Sequence, residues 1–205
     1  MQHTITSHQT AIAEHNRFLH CINCDRCKTR KNVCLWRGRN PADILLVGSE
    51  PDFIDDRSGI PLGGINGAML DQIVQQAIDF RQKEIQKEVP TASYPIHYCV
   101  TTKLSCFSES VLTLEEEQEA CLPRLLDLIK TVNPRLIVLV GIEDLININV
   151  QQNTPLEIEF LAQISMVRIA DPESLSQRTE QIGKEQVLAI FRQQVSIIVN
   201  ALRRL

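Results

Sequence analysis

Apolar residues fall along this chain in two patterns, short unbroken runs and longer stretches in which they recur every three or four positions. Asp43 to Gly48 and Leu136 to Gly141 are almost uninterrupted runs ending in glycine, as expected of strands covered on both faces. Ile96 to Thr101 and Gln163 to Ala170 read as two further strands. Met69, Leu70, Ile73, Val74, Ala77 and Ile78 keep the 3.6-residue period and predict a helix over about 65–87. Thr113 followed by Glu116 is a capping-box signature, and the helix it opens turns Cys121, Leu125, Leu126 and Ile129 inward until Asn133-Pro134 stops it. A short helix is expected over 9–20 and a long one over about 178–204. The stretch 49–64, rich in Gly, Pro and Asp, is a loop at the carboxyl end of the first strand, where folds of this kind commonly hold ligands. The stretch 142–161 gives no legible pattern.

Alternating strands and helices imply an α/β fold: three layers, α/β/α, around a central, mostly parallel, four-stranded sheet. A single domain over residues 1–205, with a cysteine loop at 21–34, accounts for the length. With 43% hydrophobic and only 4% aromatic residues, the core must be aliphatic. The formal charge of −4 gives no global attraction to nucleic acid, so any such contact has to be local. A candidate patch is the group Arg17, Arg26, Lys28, Arg30, Lys31, Arg37 and Arg39, around the first cysteines. No run approaches the ~18 apolar residues of a membrane span, and the polar N-terminus lacks a signal-peptide pattern. A cytoplasmic protein without membrane contact is expected.

Seven cysteines without an export signal point to metal or redox chemistry rather than to a disulfide scaffold. Cys21, Cys24 and Cys27 form two overlapping pairs at the spacing that lets thiolates converge on one centre. Cys106, in the loop after the second strand, and Cys121, on the next helix, supply a possible second pair. Cys99 and Cys34 read as ordinary buried cysteines. Spacing alone leaves structural zinc and an iron-sulfur cluster equally open.

Taken together, these segments resemble the family 4 uracil-DNA glycosylases, the iron-sulfur branch of their superfamily. The resemblance rests on Cys24-x2-Cys27-Lys28-Thr29-Arg30, on Asn40-Pro41-Ala42-Asp43 with the strand to Gly48, and on Gly59-Ile60-Pro61-Leu62-Gly63-Gly64. Val100-Thr101-Thr102 through Cys106, and Glu119-Ala120-Cys121-Leu122-Pro123, extend it. It implies a [4Fe-4S] cluster, in preference to zinc, on Cys24, Cys27, Cys106 and Cys121, with Cys21 a spare neighbour. It also implies DNA as the partner, a protein partner being the other possibility.

The resemblance further places a base-binding cleft at Gly48, Ser49, Glu50, Pro51, Leu62, Thr102 and Asp171, with Asp55 as the group that would orient water. Uracil excision needs a flipped base that is stacked, read at its edge and cleaved as its anion leaves. Leu62 stands where the family has the phenylalanine on which the base stacks, forfeiting much of the roughly 1–3 kcal/mol such stacking supplies. Thr102 stands where an asparagine reads uracil, and one hydroxyl cannot replace an amide's acceptor and donors. Asp171-Pro172 stands where a His-Pro stabilises the departing anion. A carboxylate there costs roughly 4 kcal/mol at about 4 Å and an effective dielectric near 20, about a thousandfold in rate. The expected function is a divergent member with uracil excision weakened or lost, the alternative being an active DNA glycosylase.

Overall fold

The computed structural model describes residues 17–90, 94–110, 113–145 and 160–205, with the side chains of 173–182 excepted. Most of the short helix expected over 9–20 therefore lies outside the described residues, as does most of 142–161.

The strands are β1 (Arg37–Gly38), β2 (Ile44–Gly48), β3 (Tyr98–Thr102), β4 (Leu136–Val140) and β5 (Ser165–Ile169). The helices are α1 (Phe53–Ser58), α2 (Ile65–Glu88), α3 (Glu115–Val132) and α4 (Pro172–Leu202). The sheet order is β1-β3-β2-β4-β5. β2 runs parallel to both β3 and β4, and β5 runs parallel to β4. The sheet is thus mostly parallel, with five strands rather than the four expected. The additional strand, β1, pairs antiparallel with β3 through Arg37 opposite Val100 and Gly38 opposite Cys99. Two residues, one charged and one a glycine, carry no apolar alternation by which a sequence could announce them.

Successive strand residues point to opposite faces, and both faces of this sheet are covered. Ile44, Leu46, Val100, Leu136 and Val138 pack against Leu70, Ile73 and Ala77 of α2 and Val195 and Ile198 of α4. Leu45, Val47, Ile137 and Leu139 pack against Leu125, Ile129 and Val132 of α3. Burial on both sides is why these strands are apolar throughout and why the layers are α/β/α.

Two helix starts differ from expectation. α3 opens after Leu114, one residue beyond the expected cap, and Glu117 accepts from the Leu114 N–H at 3.2 Å. Leucine has no acceptor to complete a capping box, and the Thr113 hydroxyl turns to Glu50 instead, at 3.4 Å. α4 begins at Pro172, suited to a first helical position, and loses helical geometry at Gly183, where φ is 74°. Among the described residues no helix is long and apolar enough to cross a membrane.

Candidate metal centre and cleft

Cys21, Cys24, Cys106 and Cys121 line one recess of about 400 Å³, counting its open mouth, together with Phe18, Val33, Arg26 and Arg124. These four cysteines come from three segments: the N-terminal loop, the loop after β3, and α3. Burial pushes the Cys106 thiol up to about 12, with Arg30 opposing and the neighbouring Cys121, Cys24 and Cys21 adding to the rise. Burial also raises Cys24, against a backbone N–H from Arg26, and Cys121 and Cys21 again add to it. Cys27 sits on the 3-10 turn Asp25–Lys28 and does not line the recess; the residue this turn sends inward is Arg26. Cys34 and Cys99 are buried, the first donating to the Asp55 carbonyl at 3.2 Å.

A mononuclear zinc site with Zn–S bonds of about 2.3 Å brings its sulfurs to within about 3.8 Å of each other. Among the described residues no three His, Cys, Asp or Glu side chains are gathered so as to hold one ion. The cysteines instead line the wall of one open recess. Donor type and donor number fit a polynuclear cluster held by four thiolates, and Arg26, Arg30 and Arg124 lie close enough to offset its negative charge.

Arg26 joins this recess to the neighbouring loop. Only 2% exposed, it donates to Glu50 at 2.5 Å and to the Cys106 carbonyl at 2.9 Å. Its Nε lies 3.0 Å from Glu117, close enough for an ion pair although off the hydrogen-bond direction. Arg124 is likewise buried and donates to Thr101 at 3.0 Å and to the carbonyls of Thr102 and Lys103, gathering the end of β3. The expected basic patch is thereby divided: Arg26 lies inside the protein and Arg37 is half-buried against Asp71 at 3.0 Å. Arg17 pairs with Asp127, and Lys28 with Asp25.

The residues expected to line a cleft lie at the carboxyl ends of β2, β3 and β4. A Cβ on Gly48 would meet Leu62 Cδ1 at 3.2 Å and Thr102 Cγ2 at 3.5 Å, so these three expected cleft residues do come together. Asp171 packs its Cβ onto Gly141, at the same end of the sheet, where an added Cβ would lie only 2.6 Å away. The loop Ser49-Glu50-Pro51 closes the side nearest the recess: the Ser49 carbonyl accepts from Leu104 N–H at 3.1 Å and Glu50 meets Arg26.

Leu62 is held in a left-handed conformation, φ 48°, which costs a leucine of order 1 kcal/mol or more. Asp55 accepts from the Leu62 N–H at 2.8 Å and the Gly63 N–H at 2.7 Å, while Arg37 donates to the Pro61 and Leu62 carbonyls at 2.9 and 3.1 Å. Gly67 completes the turn, because any Cβ there would overlap the Leu62 carbonyl.

Asp55, expected to orient water, is 1% exposed and has its oxygens on the N–H groups of Leu62, Gly63 and Asp52. Burial raises its pKa above the usual carboxylate value despite these donors. This geometry makes it a holding group for the Leu62 turn. Asp55→Asn should therefore lose about 1–3 kcal/mol of stability in a denaturant melt, since an amide would present a donor where backbone donors already converge. An unchanged melt would contradict the holding role. Asp56 accepts from the N–H groups of Lys31 and Asn32 at 2.9 and 3.2 Å, fastening the cysteine loop to α1. Thr102 is fully buried, and its hydroxyl donates to the Leu104 carbonyl. Sequence reasoning missed the structural duties of Arg26, Arg37 and Arg124, because isolated cations in a polar segment read as surface residues.

A model of the uracil DNA glycosylase superfamily matches residues 36–193, beginning just past the N-terminal cysteines. The chain is 28% identical over 124 residues to the type-4 uracil-DNA glycosylase of Pyrobaculum aerophilum, covering 58% of this chain and 56% of that protein. To the type-4 enzyme of Saccharolobus solfataricus it is 24% identical over 122 residues, 59% of this chain and 50% of the other. To that of Thermotoga maritima it is 29% identical over 121 residues, 59% and 56%. The chain thus spans about half the length of the curated relatives it matches. With the match covering most of the chain and the sheet mostly parallel as expected, this protein belongs to the uracil DNA glycosylase superfamily.

Proposed function

We propose that this chain is a DNA-binding member of the superfamily that carries a [4Fe-4S] cluster on Cys21, Cys24, Cys106 and Cys121 and in which uracil excision is weakened or lost. The first part is supported by the recess those four cysteines line, which favours Cys21 over Cys27 as the fourth ligand. Such a cluster, when bound, ties three segments together and leaves the cleft chemistry to the protein's own groups. A cytoplasmic location belongs to the same reading, because reduced thiols persist there.

The ligand assignment predicts that anaerobically prepared protein is brown with broad visible absorbance. Cys27→Ser should keep its iron and sulfide, and Cys21→Ser should lose most of both. Zinc in place of iron would contradict the cluster, and the reverse pattern of losses would restore Cys27.

The second part rests on one observation above all, the engagement of Thr102. Its hydroxyl is buried and donates to the Leu104 carbonyl, so it is turned away from any base in the cleft. Leu62 offers an aliphatic surface at Gly48, and Asp171 brings a carboxylate to the end of β4. A site without an edge-reading group has little means of preferring uracil over cytosine, which differs from it only in the hydrogen-bonding groups of that edge. Competition between oligonucleotides with one uracil and the same strands with cytosine should therefore give equal affinities within about twofold. A tenfold preference for the uracil strand would sink this reading and favour an active glycosylase.

A further inference from the structure

Phe53, the first residue of α1, is 52% exposed in a chain that has few aromatic residues. Its ring meets Phe107 edge to face, with centroids 6.2 Å apart and planes at 73°. The Lys31 ammonium lies 5.9 Å from the Phe53 centroid and the Arg57 guanidinium 5.5 Å from it. Phe107 directly follows Cys106, and Asp55, two residues after Phe53, fixes the Leu62 turn. The aromatic pair thus stands between the cysteine recess and the cleft. Ile54, next to Phe53 on α1, and Ile65, at the start of α2, are exposed as well.

We propose that Phe53 and Phe107, with Lys31 and Arg57, form a stacking platform for an unpaired nucleic-acid strand beside the cleft. The inference rests on the DNA-binding reading above and adds where and how the strand is held. Charge and shape favour this occupant. A base has a face to lay on Phe53 only when it is unpaired, and stacking of this kind is indifferent to sequence. An exposed cation–π contact is weaker than a base–aromatic stack, so a base can take the ring while the displaced Lys31 or Arg57 turns to the adjoining phosphate. A chain of net charge −4 has no global field to retain a polyanion, which makes these two cations the local means of doing so.

The test is fluorescence anisotropy of a labelled oligothymidylate of roughly 15 nucleotides, within the range of single-strand site sizes, with the cluster-loaded full chain across a salt series. Phe53→Ala is expected to weaken binding by roughly tenfold, and Phe53→Trp to keep it. Lys31→Gln and Arg57→Gln should each flatten the salt slope by about 0.7. Circular dichroism and iron content verify that each variant is folded. If the wild-type chain binds the strand and Phe53→Ala binds it equally well, the platform is overturned while the DNA-binding reading stands. If the wild-type chain binds no strand even at low salt, both fall, and the exposed aromatic lip becomes a protein-docking face.

Discussion

Asp171→His, combined with Leu62→Phe, is expected to raise uracil excision by about a thousandfold or more over the unaltered chain. The gain comes from reversing the sign of one interaction. As the glycosidic bond breaks, negative charge develops on the departing base, and a carboxylate about 4 Å away opposes it by roughly 4 kcal/mol at an effective dielectric near 20. That opposition alone is worth about three powers of ten in rate. Asp171 stands against Gly141 at the carboxyl end of β4, beside the strand that ends at Gly48, where Leu62 and Thr102 meet. A phenylalanine at Leu62 would extend over Gly48, where Leu62 Cδ1 now lies, and would supply a stacking surface. Thr102→Asn is a poorer choice, because the site is fully buried and an added amide would crowd Gly48 and Leu62. Single-turnover cleavage of a uracil-containing single strand, developed with alkali, measures the effect. A double variant no faster than the unaltered chain would show that Asp171 does not face the departing base.

Removing Arg26 is the second large effect. Arg26→Ala should destabilise the protein by about 3–5 kcal/mol, the usual cost of stranding the partners of a buried ion pair. Glu50 and Glu117 both pair with this guanidinium, and the Cys106 carbonyl accepts from it. These acids hold Arg26 more basic than usual, even though burial opposes that. The three partners belong to the cleft loop, α3 and the loop after β3, so the loss should slacken the cleft and the cysteine recess together. Arg26→Lys should rescue little, because a point charge cannot replace a fork that reaches three partners. Urea denaturation of cluster-loaded protein gives the number, and a change below about 1 kcal/mol would contradict the role assigned to Arg26.

The layers were legible in the sequence because the physics that makes them is local. β2 and β4 are buried on both faces and so are apolar throughout, while α2 shows its period because one face packs on the sheet. β1 escaped notice because two residues carry no period, and α1 because six residues in a segment rich in Gly, Pro and Asp look like loop. The site was legible in its residue types and opaque in its geometry. Cys21, Cys24 and Cys27 offer two pairs of the same spacing, and only the fold brings Cys21 and Cys24 into one recess with Cys106 and Cys121. Asp55 reads as a catalytic acid until its oxygens are found on backbone N–H groups seven and eight residues further on. Arg26 and Arg124 resemble surface cations in sequence, since burial of a charge depends on partners far along the chain.

The proposed weakening of uracil excision is open to a kinetic test. The most direct measurement is the single-turnover rate of uracil release by cluster-loaded protein, set beside an active type-4 enzyme on the same single- and double-stranded oligonucleotides. The account predicts a rate at least about a thousandfold below the control. Excision within about tenfold of the control would contradict it, and would mean that other groups do the work expected of Leu62, Thr102 and Asp171.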